Sequence, residues 1–574
     1  MEEKHPELVY NVREIASIRE LVEDSCEMYA DNIAFLFHDK EGKEITEISY
    51  SRTGKDVRYF ATYLCSLGLH EKKVAVIGRN SYPWALTYLA VCCGVGVIVP
   101  LDRDLHGDQI ADLLRDAGAA AIVYDTDKAA QMEQVSFDGV KISFEDVPAC
   151  IAKGRDLCRA GDCSYEKNIP DPYALGVLLY TSGTTGISKG VMLSQHNICS
   201  DIVNVCRQIH VYQSDRCLSI LPLHHTFECM AGFLTFLYSG ASIAYNASLR
   251  TLMQDLKLFR PTGLIAVPLV LETFYHAILK KYKKLRGGDF VLKTQMALAR
   301  ATGSYAARRR IFGAVHEAMG GRLRIFLIGA APVRPEVCNA FELFGYPVYI
   351  GYGLTETSPV CLVHNDRYRR SDDVGYPIAG LRAKIVDSDE DGVGELAVKG
   401  PNVMLGYYHD PQATAQVMHD GWFYTGDLAK KKPNGAYQIC GRIKSMIVLK
   451  NGKKVFPEEL EQFLGQAPCV EECMVYGEEE NDTCVLTAVV YPNESYLQAA
   501  AALLRQDASQ PEEEQTSANM LHDQLMQAVQ RVNERFPTYK SIRRVKIRTE
   551  PFVMTSTRKI KRNLPENRMG EELS

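Results

Sequence analysis

The chain has 574 residues, 46% of them hydrophobic and 24% charged, and its 42 glycines and 24 prolines are too few for a collagen-like or disordered polymer. Lys+Arg 65 against Asp+Glu 71 leave a net charge of −6, so nothing global attracts a polyanion and nucleic-acid binding is excluded as a first reading. At roughly 150 residues per domain, the length predicts several globular parts, two or three of them if large α/β units merge.

The 17 cysteines are scattered singly apart from Cys92-Cys93, without a CxxC pair, which fits neither a disulfide framework nor a zinc site and predicts a reducing, cytoplasmic setting. Met1-Glu2-Glu3-Lys4-His5 is acidic and polar, unlike the basic start of a secretory signal. The longest apolar run, from Tyr88 to Leu101, contains Gly94, Gly96 and Pro100 and is shorter than the ~20 residues a spanning helix needs.

In chain order, Ile18, Leu21, Val22, Cys26 and Tyr29 recur at helical spacing, while Val74 to Ile77 and Ala121 to Tyr124 read as buried strands. This alternation predicts an α/β fold. Further strands are predicted at Ala174 to Tyr180, Leu218 to Leu223, Leu264 to Pro268 and Leu323 to Gly329, and ligands in such folds sit where strands end. Between Gly394 and Gly441 short strands and glycine turns, including Pro433-Asn434-Gly435, predict a small β-rich part. Gln510-Pro511-Glu512-Glu513-Glu514 reads as a polar loop, and Leu521, Leu525, Ala528, Val529, Val532 and Phe536 mark one helix face after it. The main boundary is placed near Arg442 to Lys444. Lys540 to Arg562 carries nine basic residues, read either as a solvated run or as an end that faces phosphates.

The strongest local signal is Tyr180-Thr181-Ser182-Gly183-Thr184-Thr185-Gly186-Ile187-Ser188-Lys189-Gly190. Glycines allow close backbone approach, hydroxyls donate hydrogen bonds and Lys189 adds positive charge, as a phosphate cradle requires. It is not a GxxxxGK[ST] loop. Val191-Met192-Leu193 continues as a strand, and the next helix starts only after Ser194 as N-cap.

This loop resembles the phosphate-binding signature of the adenylate-forming superfamily, which includes acyl-CoA synthetases, luciferases and peptide-synthetase adenylation domains. Gly351-Tyr352-Gly353-Leu354-Thr355-Glu356 is similar to that family's second signature. There the resemblance implies that Tyr352 stacks on adenine, Thr355 touches phosphate and Glu356 holds Mg2+. Gly329-Ala330-Ala331-Pro332 resembles the adenine-side loop, and Gly421 to Asp427 another signature in which Asp427 accepts from the ribose hydroxyls. Gly441-Arg442-Ile443-Lys444 resembles the hinge, with Arg442 also on the ribose and Lys444 at the pivot, although Ser445 stands where the family has an acidic residue. Thr555-Ser556-Thr557-Arg558-Lys559-Ile560 resembles the catalytic-lysine motif and puts Lys559 at the catalytic position; Val553-Met554 replaces its proline-lysine and Arg558 its glycine.

The resemblance implies an α/β protein with a large N-terminal domain, residues 1–441, made of two α/β sheets and a small β-barrel-like part at about 361–440. A small, mobile α+β C-terminal domain, residues 442–574, would carry the lysine. The implied reaction joins a carboxylate to the α-phosphate of ATP with loss of pyrophosphate, and a thiol such as CoA then displaces AMP. Two unit charges repel by about 4 kcal/mol at ~4 Å in an effective dielectric near 20. Lys559, together with Mg2+ on Glu356 and the loop from Thr181 to Lys189, would offset that.

Leu221 to Glu228 resembles the acyl-side signature, with His225 on the route to the carboxylate. His224, His225 and Thr226 stand where amino-acid-activating relatives place an aspartate for the substrate ammonium, which disfavours an amino-acid substrate. Val267 to Tyr275 and Thr357-Ser358-Pro359 look most like the long-chain fatty acid–CoA ligase branch. Aryl or other carboxylates, an acyl carrier protein as acceptor, and a nucleotide-binding module without catalysis remain alternatives. Lys280 to Arg286 reads as a solvated helix face or a peripheral contact with an anionic membrane.

Overall fold

The computed structural model describes residues 10–39, 42, 44–181, 189–449, 453–480, 483–493, 513–554 and 560–573. Apolar strands alternating with helices assemble two large sheets. The first has nine strands in the order Tyr376–Pro377, Val360–Val363, Val348–Gly353, Ile325–Ile328, Gly263–Ala266, Arg216–Ser219, Ser242–Tyr245, Ile33–His38 and Ile45–Ser49. The second has seven, ordered Gly406–Tyr407, Lys189–Ser194, Leu175–Thr181, Gly96–Leu101, Lys72–Ile77, Ala119–Tyr124 and Val140–Ser143.

The apolar run from Tyr88 to Leu101 divides between a helix and a strand of the second sheet. Its first half belongs to the helix Tyr82–Gly94, buried on every side and started by Ser81, whose side chain accepts from the Trp84 N–H. Its second half is the strand Gly96–Leu101, parallel to Lys72–Ile77. A Cβ on Gly96 would stand 2.2 Å from the Lys72 carbonyl oxygen, so only glycine lets the strand enter beside its neighbour. Among the described residues no helix is long and apolar enough to cross a membrane, and all 17 cysteines are free thiols.

Two predicted strands are shorter than their apolar runs because proline ends them. Leu218 to Leu223 contributes only to Arg216–Ser219, with Pro222 beyond, and Pro268 opens the helix Pro268–Lys283 instead of closing a strand. Leu175–Thr181 turns back as Lys189–Ser194, and Ser194 then caps the helix Gln195–Cys206 by accepting from the Asn197 N–H at 3.1 Å, as the sequence predicts.

The β-rich part is a five-stranded sheet of Arg382–Val386, Gly394–Lys399, Trp422–Lys431, Met418–His419 and Tyr437–Arg442, with the Pro433-Asn434-Gly435 turn between the last two long strands. It begins later than the expected 361, because Val360–Val363 and Tyr376–Pro377 extend the nine-stranded sheet instead. The smaller C-terminal domain packs the helices Pro457–Leu464 and Glu513–Arg535 on a sheet of Val470–Glu480, Thr483–Pro492, Arg544–Ile547 and Glu571–Glu572. Its core joins Leu460, Leu464, Val475, Leu525, Val529 and Val532.

Two readings of this end need correction. Glu513 and Glu514 belong to the long helix and not to a loop. Much of the basic run is neutralised internally: Lys540 pairs with Glu459 at 2.6 Å, Arg544 with Glu572 at 2.7 Å, Lys546 with Glu478 at 2.9 Å, and Arg562 with Glu461. These four cations are paired within the small domain, so the run is not the freely solvated stretch that its composition suggests.

Candidate active site

Three sequence signatures meet where parallel strands end. Ile325–Ile328 and Val348–Gly353 are neighbours with Ile328 opposite Ile350, so Gly329 leaves its strand beside Gly351, which stays in the sheet as the partner of Val363. A Cβ on Gly329 would come within 2.9 Å of the Phe227 ring and 3.3 Å of the Gly351 carbonyl oxygen. The absence of a side chain there brings the loop Gly329 to Ala331, the loop Gly351 to Glu356 and the segment Leu221 to Glu228 together. Ala330 takes a positive φ of 68° and is exposed with Ala331.

Gly353 is equally constrained, since its Cβ would overlap the Pro359 carbonyl oxygen at 1.7 Å. The loop folds back with Leu354 N–H donating to that same oxygen at 3.0 Å, which places Thr355 and Glu356 in a short turn, Thr355–Thr357. Asn402 secures the turn from outside. Its buried amide donates to the carbonyls of Thr357 and Val360, both at 2.8 Å, and to Asp201 at 3.2 Å. Burial pushes the Asp201 carboxyl well above the usual range.

The edge strand Gly406–Tyr407 ties this loop to the glycine-hydroxyl hairpin. It pairs with Lys189–Ser194, and the Tyr407 hydroxyl donates to Glu356 Oε1 at 2.8 Å. Lys189 Nζ lies 4.8 Å from the Tyr407 ring centroid, so Lys189, Tyr407 and Glu356 form one group. Thr181 and Lys189 are register partners at the mouth of the hairpin. Ser182, Gly183, Thr184, Thr185 and Gly186 lie outside the described residues.

A second group sits on the five-stranded sheet. Asp427 and Arg442 face each other across Trp422–Lys431 and Tyr437–Arg442, with Nε 2.9 Å from Oδ1, and the Tyr352 hydroxyl donates to Oδ2 at 2.6 Å. Burial, then the Asp427 charge, holds the Tyr352 phenol well above its usual range. Arg442 is shifted upward first by Asp427, with contributions from Tyr352 and Glu356, so the two groups share one field.

In the segment Leu221 to Glu228, the His224 and His225 rings lie 4.1 Å apart. His224 is buried, its Nε2 3.6 Å from Asp102, and it lines a narrow apolar cavity with Tyr88, Val177, Leu179, Leu223 and Met230. His224 and Thr226 contribute to that wall. Glu228 follows in a π-helical turn, Glu228–Leu234, fully buried, and burial pushes its carboxyl up to about 8.

Lys444 is exposed in the turn Ile443–Ser445. Lys559 lies outside the described residues. Its neighbours Met554 and Ile560 pair antiparallel, and Lys561 N–H donates to the Val553 carbonyl at 3.0 Å. Arg334, just past the Gly329 loop, is held by Glu272 at 3.1 Å and donates to the Gly465 carbonyl at 2.7 Å, at the C-terminal end of Pro457–Leu464. Sequence reasoning missed Tyr407, Asn402 and Arg334. The only local signal for the first is the Gly406-Tyr407-Tyr408 turn after Pro401.

Among the described residues no three His, Cys, Asp or Glu side chains gather as a metal-binding group. Glu356 offers a single carboxylate. That suits Mg2+, which commonly takes one or two protein carboxylates and completes its shell with phosphate oxygens and water.

Comparison with known proteins agrees across the chain. The AMP-binding enzyme family matches residues 22–408, and the AMP-binding enzyme C-terminal domain matches residues 444–573. The chain is 28% identical to long-chain-fatty-acid–CoA ligase 6 of Mus musculus over 491 residues, covering 78% of this chain and 69% of that protein. It is 27% identical over 570 residues to the chloroplastic long-chain-fatty-acid–[acyl-carrier-protein] ligase AEE15 of Arabidopsis thaliana, covering 84% and 77%. Among solved structures, ATP-bound MatB of Rhodopseudomonas palustris superposes with a TM-score of 0.71 at 21% identity, covering 95% of this chain and 98% of that one. O-succinylbenzoate coenzyme A synthetase of Bacillus subtilis with AMP gives 0.72 at 19% identity, covering 96% and 99%. Two family matches in order, across a fold shared end to end with these structures, make the chain a member of the AMP-binding enzyme family.

Proposed function

We propose that the protein is an acid–thiol ligase that uses ATP to convert a medium- or long-chain fatty acid to its acyl-adenylate and then to a thioester of CoA. The observation that carries this reading is the double anchorage of one cleft. Lys189, Tyr407 and Glu356 stand on its phosphate side, and Tyr352, Asp427 and Arg442 on the other. The first group suits a triphosphate and the second a ribose and base, since a carboxylate accepts well from a diol. Thr355 and the hydroxyls of the hairpin add donors to phosphate oxygens, and Gly329 to Ala331 leave room for a flat base. Mg2+ on Glu356 would supply charge neutralisation at the departing pyrophosphate.

In this reading Lys559 holds the substrate carboxylate against the α-phosphate, orienting the attacking oxygen and offsetting the repulsion of two anions. The cleft must then admit a thiol, so the small domain turns about Lys444 and withdraws the lysine. His225 orients the acid at the cleft mouth. The long-chain relatives support an aliphatic acid. A second reading, an aryl acid, has its support in the similar fold of an anthranilate CoA ligase, and a carrier-protein acceptor has it in the Arabidopsis relative.

A pyrophosphate-release panel of long-chain, short-chain and aromatic acids tests the proposal, with CoA and a phosphopantetheinylated carrier protein as alternative acceptors. Turnover highest with long-chain acids and CoA is expected. Turnover confined to benzoates would replace the fatty-acid reading, and ATP binding without any pyrophosphate release would remove the ligase reading altogether.

A further inference from the structure

The helix Gly288–Ala301 carries apolar side chains on two opposite sides. At about 100° per residue, Gly288, Leu292, Gln295, Met296 and Ala299 share one side, and all are buried or half-buried against the large domain. The opposite side presents Phe290, Val291, Thr294, Ala297, Leu298 and Ala301, every one exposed, with Phe290 at 75% and Leu298 at 55%. Leu285, in the turn that precedes the helix, is a further 54% exposed. A contiguous apolar side facing water on a packed helix calls for an occupant.

The charges around it say which. From Lys280 to Ala301 the chain carries Lys280, Lys281, Lys283, Lys284, Arg286, Lys293 and Arg300 against Asp289 alone, seven positive and one negative, or +6 on a protein whose whole charge is −6. All seven cations are exposed, and none is in an ion pair among the described residues. On the helix, Lys293 and Arg300 flank the apolar stripe on the same edge. Long cationic stems beside protruding Phe and Leu side chains match the interface of an anionic bilayer, where rings and aliphatic groups enter the acyl boundary and ammonium groups meet phosphates. A second copy of this chain would set positive on positive and is disfavoured by the same charges.

We infer that the hairpin formed by Pro268–Lys283 and Gly288–Ala301 docks the protein on an anionic lipid surface, with Phe290 and Leu298 inserted and the Lys280 to Arg286 turn on the headgroups. Phe290, Leu298 and Lys280 to Arg286 are not among the residues assigned to the nucleotide site, and the inference does not depend on which acid is activated.

Co-sedimentation of the full chain with vesicles of phosphatidylcholine, with and without phosphatidylglycerol, tests it. Binding is expected only to the anionic vesicles and should disappear at about 0.5 M salt. Phe290→Asp with Leu298→Asp, and separately Lys283→Glu with Lys284→Glu, should each reduce partitioning at least roughly tenfold. Unchanged melting temperatures and unchanged nucleotide affinity in these variants show that the fold is intact. Equal binding to neutral vesicles, no binding to either kind, or self-association in sedimentation velocity that Phe290→Asp abolishes would each overturn the inference.

Discussion

Arg442 closes on Asp427 as its register partner, with the guanidinium Nε 2.9 Å from one carboxylate oxygen while the Tyr352 hydroxyl holds the other at 2.6 Å. The strand that leads out of the large domain therefore ends on the acid proposed to receive the ribose. That acid is 3% exposed, so its charge acts where water screens little.

Asp427→Asn keeps the shape and removes the charge. A hydrogen bond to a charged group contributes about 1.5 to 3 kcal/mol, so ATP affinity is expected to fall roughly 10- to 100-fold. Calorimetric titration with ATP, alongside a melt to confirm folding, measures it. Unaltered affinity would remove Asp427 from the nucleotide site.

Glu356→Gln retains an acceptor for the Tyr407 hydroxyl and loses the charge proposed to hold Mg2+. Pyrophosphate release should drop at least roughly tenfold and need a higher Mg2+ concentration for half-maximal rate. A Mg2+ titration of both proteins gives the answer; superimposable curves would mean that the carboxylate serves only to hold Tyr407.

Lys559→Ala should abolish adenylate formation and leave thioester formation from supplied acyl-adenylate largely intact. The two half-reactions are assayed separately, by pyrophosphate exchange and by thioester appearance. Equal loss in both would show that the lysine works in neither step specifically.

Glu228 is buried in its π-helical turn and keeps its proton up to about pH 8, whereas the unfolded chain releases it near 4.5. Between those values the folded state binds the extra proton, so this group's contribution to stability is complete below the lower value and is lost as pH rises toward the upper one. Glu228→Gln should therefore lose less melting temperature than the natural protein between about pH 5 and about pH 8.5. Parallel slopes in scanning calorimetry would contradict the assignment.

Local chemistry made some of this architecture legible. The hairpin from Leu175 to Ser194 and the helix after it follow from Ser194 with Asn197 three residues on, and proline marks where strands stop. Sheet membership did not show, because Val360–Val363 has the same apolar pattern as a strand of the β-rich part, and only its pairing with Val348–Gly353 assigns it to the nine-stranded sheet. The basic tail misled for a similar reason: Glu459, Glu461 and Glu478 lie 81, 101 and 68 positions from their cations. Tyr407 is 51 positions from Glu356, and only the edge pairing with Lys189–Ser194 reveals its role. Which side of the helix Gly288–Ala301 the fold leaves uncovered is a property of the packing, and no local pattern marks it.

Arg334 has one foot in each domain. It follows directly on the loop Gly329 to Val333, and its guanidinium caps the carbonyl end of Pro457–Leu464 through Gly465, where the helix dipole favours a cation. Gln462 reinforces the contact by donating to the Val333 carbonyl at 3.2 Å. A molecule that selects one setting of that loop must also bias the orientation of the small domain, and freezing the orientation must alter the molecule's dissociation constant by the same factor. Occupancy and posture are thus two readouts of a single thermodynamic balance, with its fulcrum at a side chain outside every sequence signature.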